Sequence, residues 1–246
     1  MAAQHTSVTI ITGAAGGVGS ALVRLLVERG GAVVAEDIDP RVEELASDSV
    51  AAVRGDVAEP ATTEEALRIA LERFGRLDGL VNNAARFHTG PIGGIDVELW
   101  DAVIRTNVRG AFVHIKAAEA ALAEARGAIV NTGSMSGLIG MPNQLLYGAT
   151  KGAIHQITRM AAIELAPKGV RVNAVAPGAI ETGFMDDFLP PGEAKAAVLE
   201  EISKSHPIGR SSTPREVAEA IAFLLSPAAA TITGVILPVD GGYTTA

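Results

Sequence analysis

Short runs of apolar and β-branched residues alternate with longer segments of helical periodicity along almost the whole of this 246-residue chain. Because a helical segment rather than a tight turn follows each run, consecutive strands are expected to lie parallel, joined by crossovers. The runs are apolar on both faces, which is typical of a sheet covered by helices on both sides. Strands are predicted at residues 7–12, 32–36, 50–54, 79–81, 128–132, 170–176 and 235–239, and helices at 18–29, 62–74, 97–125 (one helix or two), 145–166 and 214–225.

These elements predict an α/β fold, a Rossmann-like doubly wound parallel sheet of about seven strands with helices on both faces. No linker, repeat or low-complexity segment interrupts the chain, so a single domain over residues 1–246 is expected. Residues 183–207 break the alternation with a Pro-Pro-Gly interruption and an amphipathic stretch. We interpret this segment as a substrate lid, with a long surface loop as the alternative.

Composition excludes several classes of function. A net charge of −8 and a pI near 5.2 argue against nucleic acid or an anionic membrane as a partner. There is no cysteine, and the five histidines form no local zinc pair, so neither disulfides nor a metal is expected. No stretch is apolar enough to span a membrane and no signal peptide pattern begins the chain, which favours a cytoplasmic protein.

The first predicted strand runs into TGAAGGVGS, with glycines at 13, 16, 17 and 19. At a strand-to-helix turn, glycines let the backbone approach a pyrophosphate, and the helix N-terminus offers free N–H groups. The spacing differs from the common G-x-G-x-x-G, and a tight structural turn is the alternative. As a phosphate cradle, this segment predicts dinucleotide contacts from Gly13, Gly17, Val18 and Gly19.

An acidic residue at the end of the second strand bears on the choice of cofactor. Asp37 follows Gly13 by 24 residues, about where an acid binds the adenosine ribose, although Glu36 and Asp39 compete for this role. A 2′-phosphate beside Asp37 would be repelled by about 4 kcal/mol at 4 Å and an effective dielectric of 20. The nearest basic residue, Arg41, is expected to face solvent. The pattern favours NAD over NADP.

Tyr147 and Lys151 lie four residues apart in LLYGATKGAIHQITRM, and therefore on one face of the predicted helix. A tyrosine with a pKa near 10 is a poor base at neutral pH, but a neighbouring ammonium lowers that pKa. The pair is a candidate acid/base unit. The alternative is an ordinary helix surface on which the lysine extends along the tyrosine ring.

Further motifs complete a pattern that covers essentially the whole chain and resembles the short-chain dehydrogenase/reductase family. The motifs are TGAAGGVG at 12–19, Asp56-Val57, NNAA at 82–85, Asn107, Ser134, Tyr147-x-x-x-Lys151, PGAIET at 177–182 and VDGG at 239–242. The resemblance implies an oxidoreductase that transfers hydride between a secondary alcohol, or its ketone, and a nicotinamide, and Asp37 favours NAD as the cofactor.

The resemblance also implies a role for each catalytic candidate. Tyr147 is expected to be the acid/base, with Lys151 lowering its pKa and holding the nicotinamide ribose. Ser134 would hydrogen-bond the reacting oxygen, while Ser136 lines the pocket. Asn107 would anchor a water that leads protons from the lysine to solvent; its alternative role is to stabilise a helix irregularity.

The expected cofactor contacts follow from the same motifs, with Asp56 and Val57 at the adenine. The full expected set is Gly13, Gly17, Val18, Gly19, Asp37, Asp56, Val57, Asn83, Ala84, Tyr147, Lys151, Pro177, Gly178, Ile180 and Thr182.

Two positions depart from the family pattern. Ala85 replaces the usual glycine. Because alanine disfavours positive φ, the backbone at this position is expected to differ from one that requires glycine. Gly133 replaces a common serine and is expected to enlarge the pocket slightly.

The substrate pocket is predicted from proximity in sequence to these motifs. Its candidates are Arg86, His88, Met135, Ser136, Met141, Gln144 and Phe184. This mostly apolar or neutral set favours a medium-sized hydrophobic alcohol, although Arg86 would either recognise an anionic group or lie solvated on a loop.

Two other functions compete with this interpretation. One is an NADPH-dependent reductase of ketones or 3-oxoacyl groups, and the other is a non-catalytic dinucleotide-binding regulator. The presence of all four catalytic residues argues against the regulator. The resemblance also implies a homotetramer, with the helices at 97–125 and 145–166 and the C-terminal strand at interfaces.

Overall fold

A computed structural model describes residues 5–184, 189 and 192–245 of the chain. Seven parallel strands form one sheet in the order β3-β2-β1-β4-β5-β6-β7, which confirms the predicted fold class. The strands are β1 (Val8–Thr12), β2 (Ala32–Asp37), β3 (Val50–Arg54), β4 (Gly79–Asn82), β5 (Ala128–Thr132), β6 (Arg171–Pro177) and β7 (Ile236–Val239).

Helices cover both faces of this sheet. They are α1 (Gly17–Glu28), α2 (Pro60–Phe74), α3 (Val97–Ile104), α4 (Gly110–Ala125), α5 (Leu145–Leu165), α6 (Glu193–Lys204) and α7 (Pro214–Leu225). Apolar side chains of α1 and α7 form the core on one face, and those of α2, α4 and α5 form it on the other. The predicted helix at 97–125 is therefore two α-helices, joined by a π-helical segment, Arg105–Arg109.

The carboxyl ends of all seven strands meet at one edge of the sheet, which is where the predicted motifs fall. β1 lies between β2 and β4, so the chain reverses its direction of winding beside β1. In open parallel sheets this reversal leaves a crevice outside the carboxyl ends of the central strands. The fold thus positions the glycine turn, Asp37, Asp56, Asn83 and Ser134 around one crevice.

Part of the predicted lid, 183–207, lies outside the described residues, namely 185–188, 190 and 191. The described remainder includes α6, whose Ile202 borders the crevice. The lid function stays a prediction. Throughout the described part of the chain, no helix has both the length and the apolar character required for a membrane span.

A buried ion pair links the end of β2 to α4. The Nε2 atom of His114 lies 2.9 Å from Glu36 Oε2, and its Nδ1 lies 2.9 Å from Gly110 O. Both ring nitrogens therefore face acceptors. The His114–Glu36 pair must hold one proton more than a neutral imidazole beside an ionised carboxylate would. Burial acts to lower the pKa of His114, but the hydrogen bond and charge of Glu36 outweigh it and the pKa is raised. Glu36 is therefore buried in the core and hydrogen-bonded to His114 there.

His114→Leu is expected to lower the free energy of unfolding by about 3–5 kcal/mol, because it leaves the Glu36 carboxylate buried without its partner. Urea denaturation measures this loss. Replacing both partners, as Glu36→Met/His114→Leu, should recover most of the stability. A single variant within 1 kcal/mol of wild type, or a double variant no more stable than the single, would contradict the pairing.

The pair also predicts a pH dependence. Because the folded pKa of His114 is raised above its unfolded value of 6.5, its stabilising contribution is complete below that pH. It is lost as the pH rises through the folded pKa. The wild type should therefore lose more stability than the double variant between neutral and alkaline pH, measured in the same denaturation series.

Candidate active site

A cleft of ≈ 740 Å³ opens at the carboxyl edge of the sheet. The glycine turn after β1 and the start of α5 both contribute to its wall. The structure gathers most of the predicted site residues here, from segments far apart in sequence. Those that line the cleft are Gly13, Gly17, Val18, Asp37, Asp56, Val57, Asn83, Ala84, Arg86, Ser134, Met135, Ser136, Met141, Gln144, Tyr147, Lys151, Pro177, Gly178, Ile180, Thr182 and Phe184.

Three predicted residues do not line this cleft. A Cβ on Gly19 would lie 2.1 Å from Gly13 O, so glycine at this position lets α1 pack against the turn, and its cofactor contact stays a prediction. Asn107 borders a separate small cavity. His88 is absent from the cleft wall, so its predicted place in the substrate pocket is not supported.

The glycine turn forms a cradle that side chains would fill. Gly13 has a φ of +66°, and a Cβ there would lie 2.8 Å from Ala84 Cα. A Cβ on Gly17, the first residue of α1, would lie 2.4 Å from Thr182 Cγ2. Both glycines border the cleft, so backbone N–H groups at the start of α1 are accessible to an anion. The turn therefore fits a pyrophosphate.

Asn83 braces this turn from β4. Its Nδ2 donates to Thr12 O at 3.2 Å and to Gly13 O at 3.1 Å, and its Oδ1 accepts from Thr132 Oγ1 at 3.3 Å. The amide is thus engaged by protein on both of its ends. Its side chain holds the turn in shape, rather than pointing free toward a ribose.

Asp37 is the acid that the geometry singles out. Its Oδ2 accepts from Ala15 N at 2.9 Å and its Oδ1 from Asp39 N at 3.0 Å, so the carboxylate is fixed at the cleft wall. Glu36 is buried in the core. Asp39 pairs with the exposed Arg41 at 2.6 Å, and both lie on the rim of the cleft.

The predicted adenine contact, Asp56, is also held in place. Its Oδ1 accepts from Ala58 N at 2.8 Å and its Oδ2 from Arg105 Nη1 at 2.6 Å. Arg105 belongs to the π-helical segment and lines the cleft. Sequence reasoning missed this arginine, because nothing local in the sequence connects it to the strand end that it contacts.

Tyr147 and Lys151 occupy the first two turns of α5, and both are buried. The Ser134 side chain lies beside the Tyr147 hydroxyl and acts to lower its pKa, and Ser134 Oγ donates to Ser136 Oγ at 3.3 Å. Lys151 Nζ lies 5.5 Å from the centre of the Tyr147 ring and donates to Thr132 O at 2.7 Å. The predicted surface alternative for this pair is therefore wrong, because two hydroxyls and an ammonium converge at the floor of the cleft.

Burial is the main influence on protonation at this floor. Burial raises the pKa of Tyr147, and the neighbouring Ser134 side chain only partly opposes that effect. Burial also lowers the pKa of Lys151 to about 8. In the protein alone, the cost of burying a phenolate therefore dominates the pKa of Tyr147, and the lowering of that pKa by Lys151 stays a prediction. At neutral pH, Tyr147 holds its proton and can donate it.

Two aromatic rings beside Tyr147 make one wall of the cleft apolar. Phe87 packs edge-on against Tyr147, with ring centres 4.8 Å apart, and Phe184 lies 5.7 Å from Phe87. Sequence reasoning missed Phe87 although it named both of its neighbours in the loop after β4. Ser136 and Gln144 also line the cleft, and Ser136 Oγ donates to Gln144 Oε1 at 2.6 Å.

The sequence and the fold are both similar to those of known proteins. A short-chain alcohol dehydrogenase family model described as "Enoyl-(Acyl carrier protein) reductase" matches residues 13–244. The chain belongs to the short-chain dehydrogenase/reductase family. As a member, it is an oxidoreductase that binds a nicotinamide dinucleotide.

Relatives within the family span nearly all of the chain. A protein named 2-(S)-hydroxypropyl-CoM dehydrogenase 3, from Xanthobacter autotrophicus, is 38% identical over 96% of this chain and 96% of its own length. Cyclohexanol dehydrogenase from an Acinetobacter species is 38% identical over 98% of this chain and 96% of its own. The solved 3-ketoacyl-(acyl-carrier-protein) reductase from Brucella melitensis, complexed with NADH, is 34% identical, with a TM-score of 0.88 over 98% and 99% of the two chains.

Asn107 of this short-chain dehydrogenase/reductase lies within the π-helical segment. Its Oδ1 accepts from Arg86 N at 2.7 Å, and its Nδ2 donates to Arg86 O and Thr150 Oγ1, each at 3.0 Å. A cavity of ≈ 10 Å³ between Asn107 and Lys151 is about the size of one water. Asn82 also borders this cavity, and its Oδ1 has no partner within the described part of the chain.

The two departures from the family pattern have structural explanations. Within the described ranges the non-glycine residues with positive φ are Arg126 and Asn143, so Ala85 adopts an ordinary backbone conformation and alanine is tolerated. A Cβ on Gly133 would lie 2.2 Å from the Nε2 atom of His155. The expectation that Gly133 enlarges the substrate pocket is therefore wrong, since the missing side chain is replaced by an imidazole.

Proposed function

We propose that the chain is an NAD-dependent dehydrogenase of hydrophobic secondary alcohols, which also reduces the corresponding ketones. The observation that carries this proposal is the buried pair of adjacent hydroxyls of Ser134 and Tyr147 beside an apolar aromatic wall. A hydroxyl pair at the end of a dinucleotide cleft can bind one oxygen atom and exchange one proton with it. Supporting relatives include the cyclohexanol dehydrogenase.

The cofactor residues form a continuous path along the cleft. The glycine turn at Gly13 and Gly17 leaves space for a pyrophosphate. In the strand order, Asp56 follows β3 on one side of β1, and Tyr147 lies on α5, which follows β5 on the other side. When bound, the nicotinamide supplies the hydride acceptor or donor. Lys151, close to the tyrosine ring, is the proposed partner of the nicotinamide ribose.

Proton transfer is assigned to the side chains at the floor of the cleft. Ser134 and Tyr147 would hydrogen-bond the reacting oxygen, and Tyr147 would donate its proton to a ketone oxygen or receive the proton of an alcohol. Alcohol oxidation requires the phenolate, which burial disfavours and a charged Lys151 favours. The small cavity between Lys151 and Asn107 supports a route by which a water could carry this proton onward.

NAD rather than NADP is proposed from Asp37. Its carboxylate is fixed at the cleft wall by two backbone N–H groups, so it cannot easily turn away from a 2′-phosphate. Arg41, the nearby cation, is paired with Asp39. Repulsion of about 4 kcal/mol at 4 Å and an effective dielectric of 20 outweighs an exposed ion pair of about 0–1 kcal/mol.

A reductase of 3-oxoacyl groups is the second candidate, favoured by the likeness to the Brucella melitensis structure. A non-catalytic regulator has less support, because all four catalytic residues lie at the cleft or the adjoining cavity.

We also propose a cytoplasmic homotetramer. In support, Phe112 of α4 and Ile163 of α5 expose 55% and 70% of their surface, on the helices predicted to lie at interfaces.

The test is a set of initial rates followed by nicotinamide absorbance. NAD and NADP are compared at equal concentration with cyclohexanol, a primary alcohol and an anionic secondary alcohol, and NADH and NADPH with a ketone and a 3-oxoacyl thioester. We expect turnover with cyclohexanol and a clear preference for NAD. Faster turnover of the thioester with NADPH would overturn the proposal in favour of the second candidate, and NADH binding without any turnover would favour the regulator.

A further inference from the structure

A buried histidine of α5 lies directly behind the loop that carries Ser134. His155 follows Lys151 by one helical turn and is 2% exposed. Its Nδ1 lies 3.1 Å from Gly137 O, and its Nε2 lies 3.5 Å from Ser134 N. A carbonyl only accepts, so Nδ1 carries the proton and Nε2 is left as an acceptor for the long contact from Ser134 N–H.

Glycine at position 133 makes room for this ring. A Cβ on Gly133 would lie 2.2 Å from Nε2 and 2.7 Å from Cδ2 of His155, well inside van der Waals contact. The φ angle of Gly133 is not positive, so its backbone conformation does not require glycine. The imidazole is the main reason that no side chain fits there, and the glycine and the histidine form one packing unit.

We propose that His155 is a positioning residue, which holds the loop from Ser134 to Gly137 so that the Ser134 hydroxyl stays against Tyr147. The ring contacts both ends of this loop, and it does so from the same helix that carries Tyr147 and Lys151. The side chains of Tyr147, Lys151 and His155 are therefore all fixed to one helix, α5. The proposal rests on the proposed function only in that Ser134 binds the reacting oxygen.

The charge state of the ring suits this role. Burial is the main influence on its pKa; the hydrogen bond to Gly137 opposes it, and the nearby charges of Lys151 and Arg159 add to it. Together they lower the pKa of His155 to about 4. At neutral pH the imidazole is neutral, so Nε2 presents a lone pair rather than an N–H group to the Ser134 amide.

The consequence for turnover follows from placement. Misplacing a group at the reacting centre by about 1 Å can lower the rate roughly 100-fold. His155→Ala and Gly133→Ala each disturb the same loop, the first by removing its support and the second by pushing the ring away. We expect kcat to fall at least tenfold in each variant, with NADH affinity unchanged, because a Cβ on Gly133 would be directed at the imidazole and His155 does not line the cleft.

The test combines these two variants in a double-mutant cycle. Because both act through one contact, the double variant should lose no more in kcat than the worse single variant. Leu165→Ala, buried on the same helix about three turns further on, controls for loss of stability and should keep wild-type kcat. Multiplicative losses in the cycle, an unchanged kcat in His155→Ala, or an equal loss in Leu165→Ala would overturn the proposal.

A structural measurement separates this proposal from the proposed function. In crystals of His155→Ala we expect the Ser134 hydroxyl to have moved away from Tyr147, whereas Leu165→Ala should keep the two hydroxyls side by side. An unmoved Ser134 in His155→Ala would overturn the positioning role. This result does not depend on turnover of any substrate, so absence of wild-type activity would count against the proposed function alone.

Discussion

Tyr147→Phe is expected to lower turnover by roughly 100- to 10,000-fold, because it removes the group that exchanges a proton with the substrate oxygen. Phenylalanine keeps the ring, and with it the edge-on packing against Phe87 at 4.8 Å. NADH binding, measured by fluorescence, should therefore match the wild type. The loss should appear in kcat rather than in affinity for the cofactor.

The other tyrosine of the chain gives a matched control. Tyr243 packs on His206, with ring centres 5.1 Å apart, and takes no part in the proposed chemistry. Tyr243→Phe should keep turnover close to that of the wild type. Undiminished turnover in Tyr147→Phe would remove this residue from its proposed role, and loss of NADH binding in that variant would point to a structural effect instead.

The second large effect is expected at Asp37. Asp37→Asn removes the negative charge but keeps an oxygen that can accept from Ala15 N or Asp39 N, so the turn should hold its shape. The ratio of kcat/KM for NAD to that for NADP should fall by roughly 100-fold, somewhat less than the full Coulomb repulsion of about 4 kcal/mol allows. Initial rates with the two cofactors measure this ratio.

Asp48→Asn is the control for the change in net charge. Asp48 is exposed in the loop just before β3, at the opposite edge of the sheet from the cleft, so its removal should leave the ratio unchanged. A preference for NADP in the wild type, or an unaltered ratio in Asp37→Asn, would show that another residue selects the cofactor. Arg41, on the cleft rim, would then be the first candidate.

The fold was predictable because its determinants are local and periodic. Each strand is a short apolar run, and each connecting helix has an apolar stripe of its own, so the alternation alone specifies a parallel sheet. The π-helical segment at Arg105–Arg109 was anticipated only through the family resemblance, as a helix irregularity at Asn107, and not from local periodicity, because the Asn107 side chain reaches Arg86 and Thr150. These contacts join parts of the chain that only folding brings together.

The site was predictable in its members and less so in its electrostatics. Spacing placed Tyr147 and Lys151 on one helical face, but the pKa of the tyrosine depends on how deeply the cleft buries it, which spacing does not encode. The sequence did contain a clue to why glycine occupies position 133, since His155 lies one helical turn beyond Lys151. Connecting the two required the loop after β5 to be seen against α5.

A crystal structure of the protein with NADH bound tests the central claim most directly. The account predicts the nicotinamide ring beside Ser134 and Tyr147, with the tyrosine oxygen facing the carbon that transfers hydride and Asp37 at the adenosine ribose. A nicotinamide bound elsewhere in the cleft, or a tyrosine oxygen turned away from it, would contradict the account.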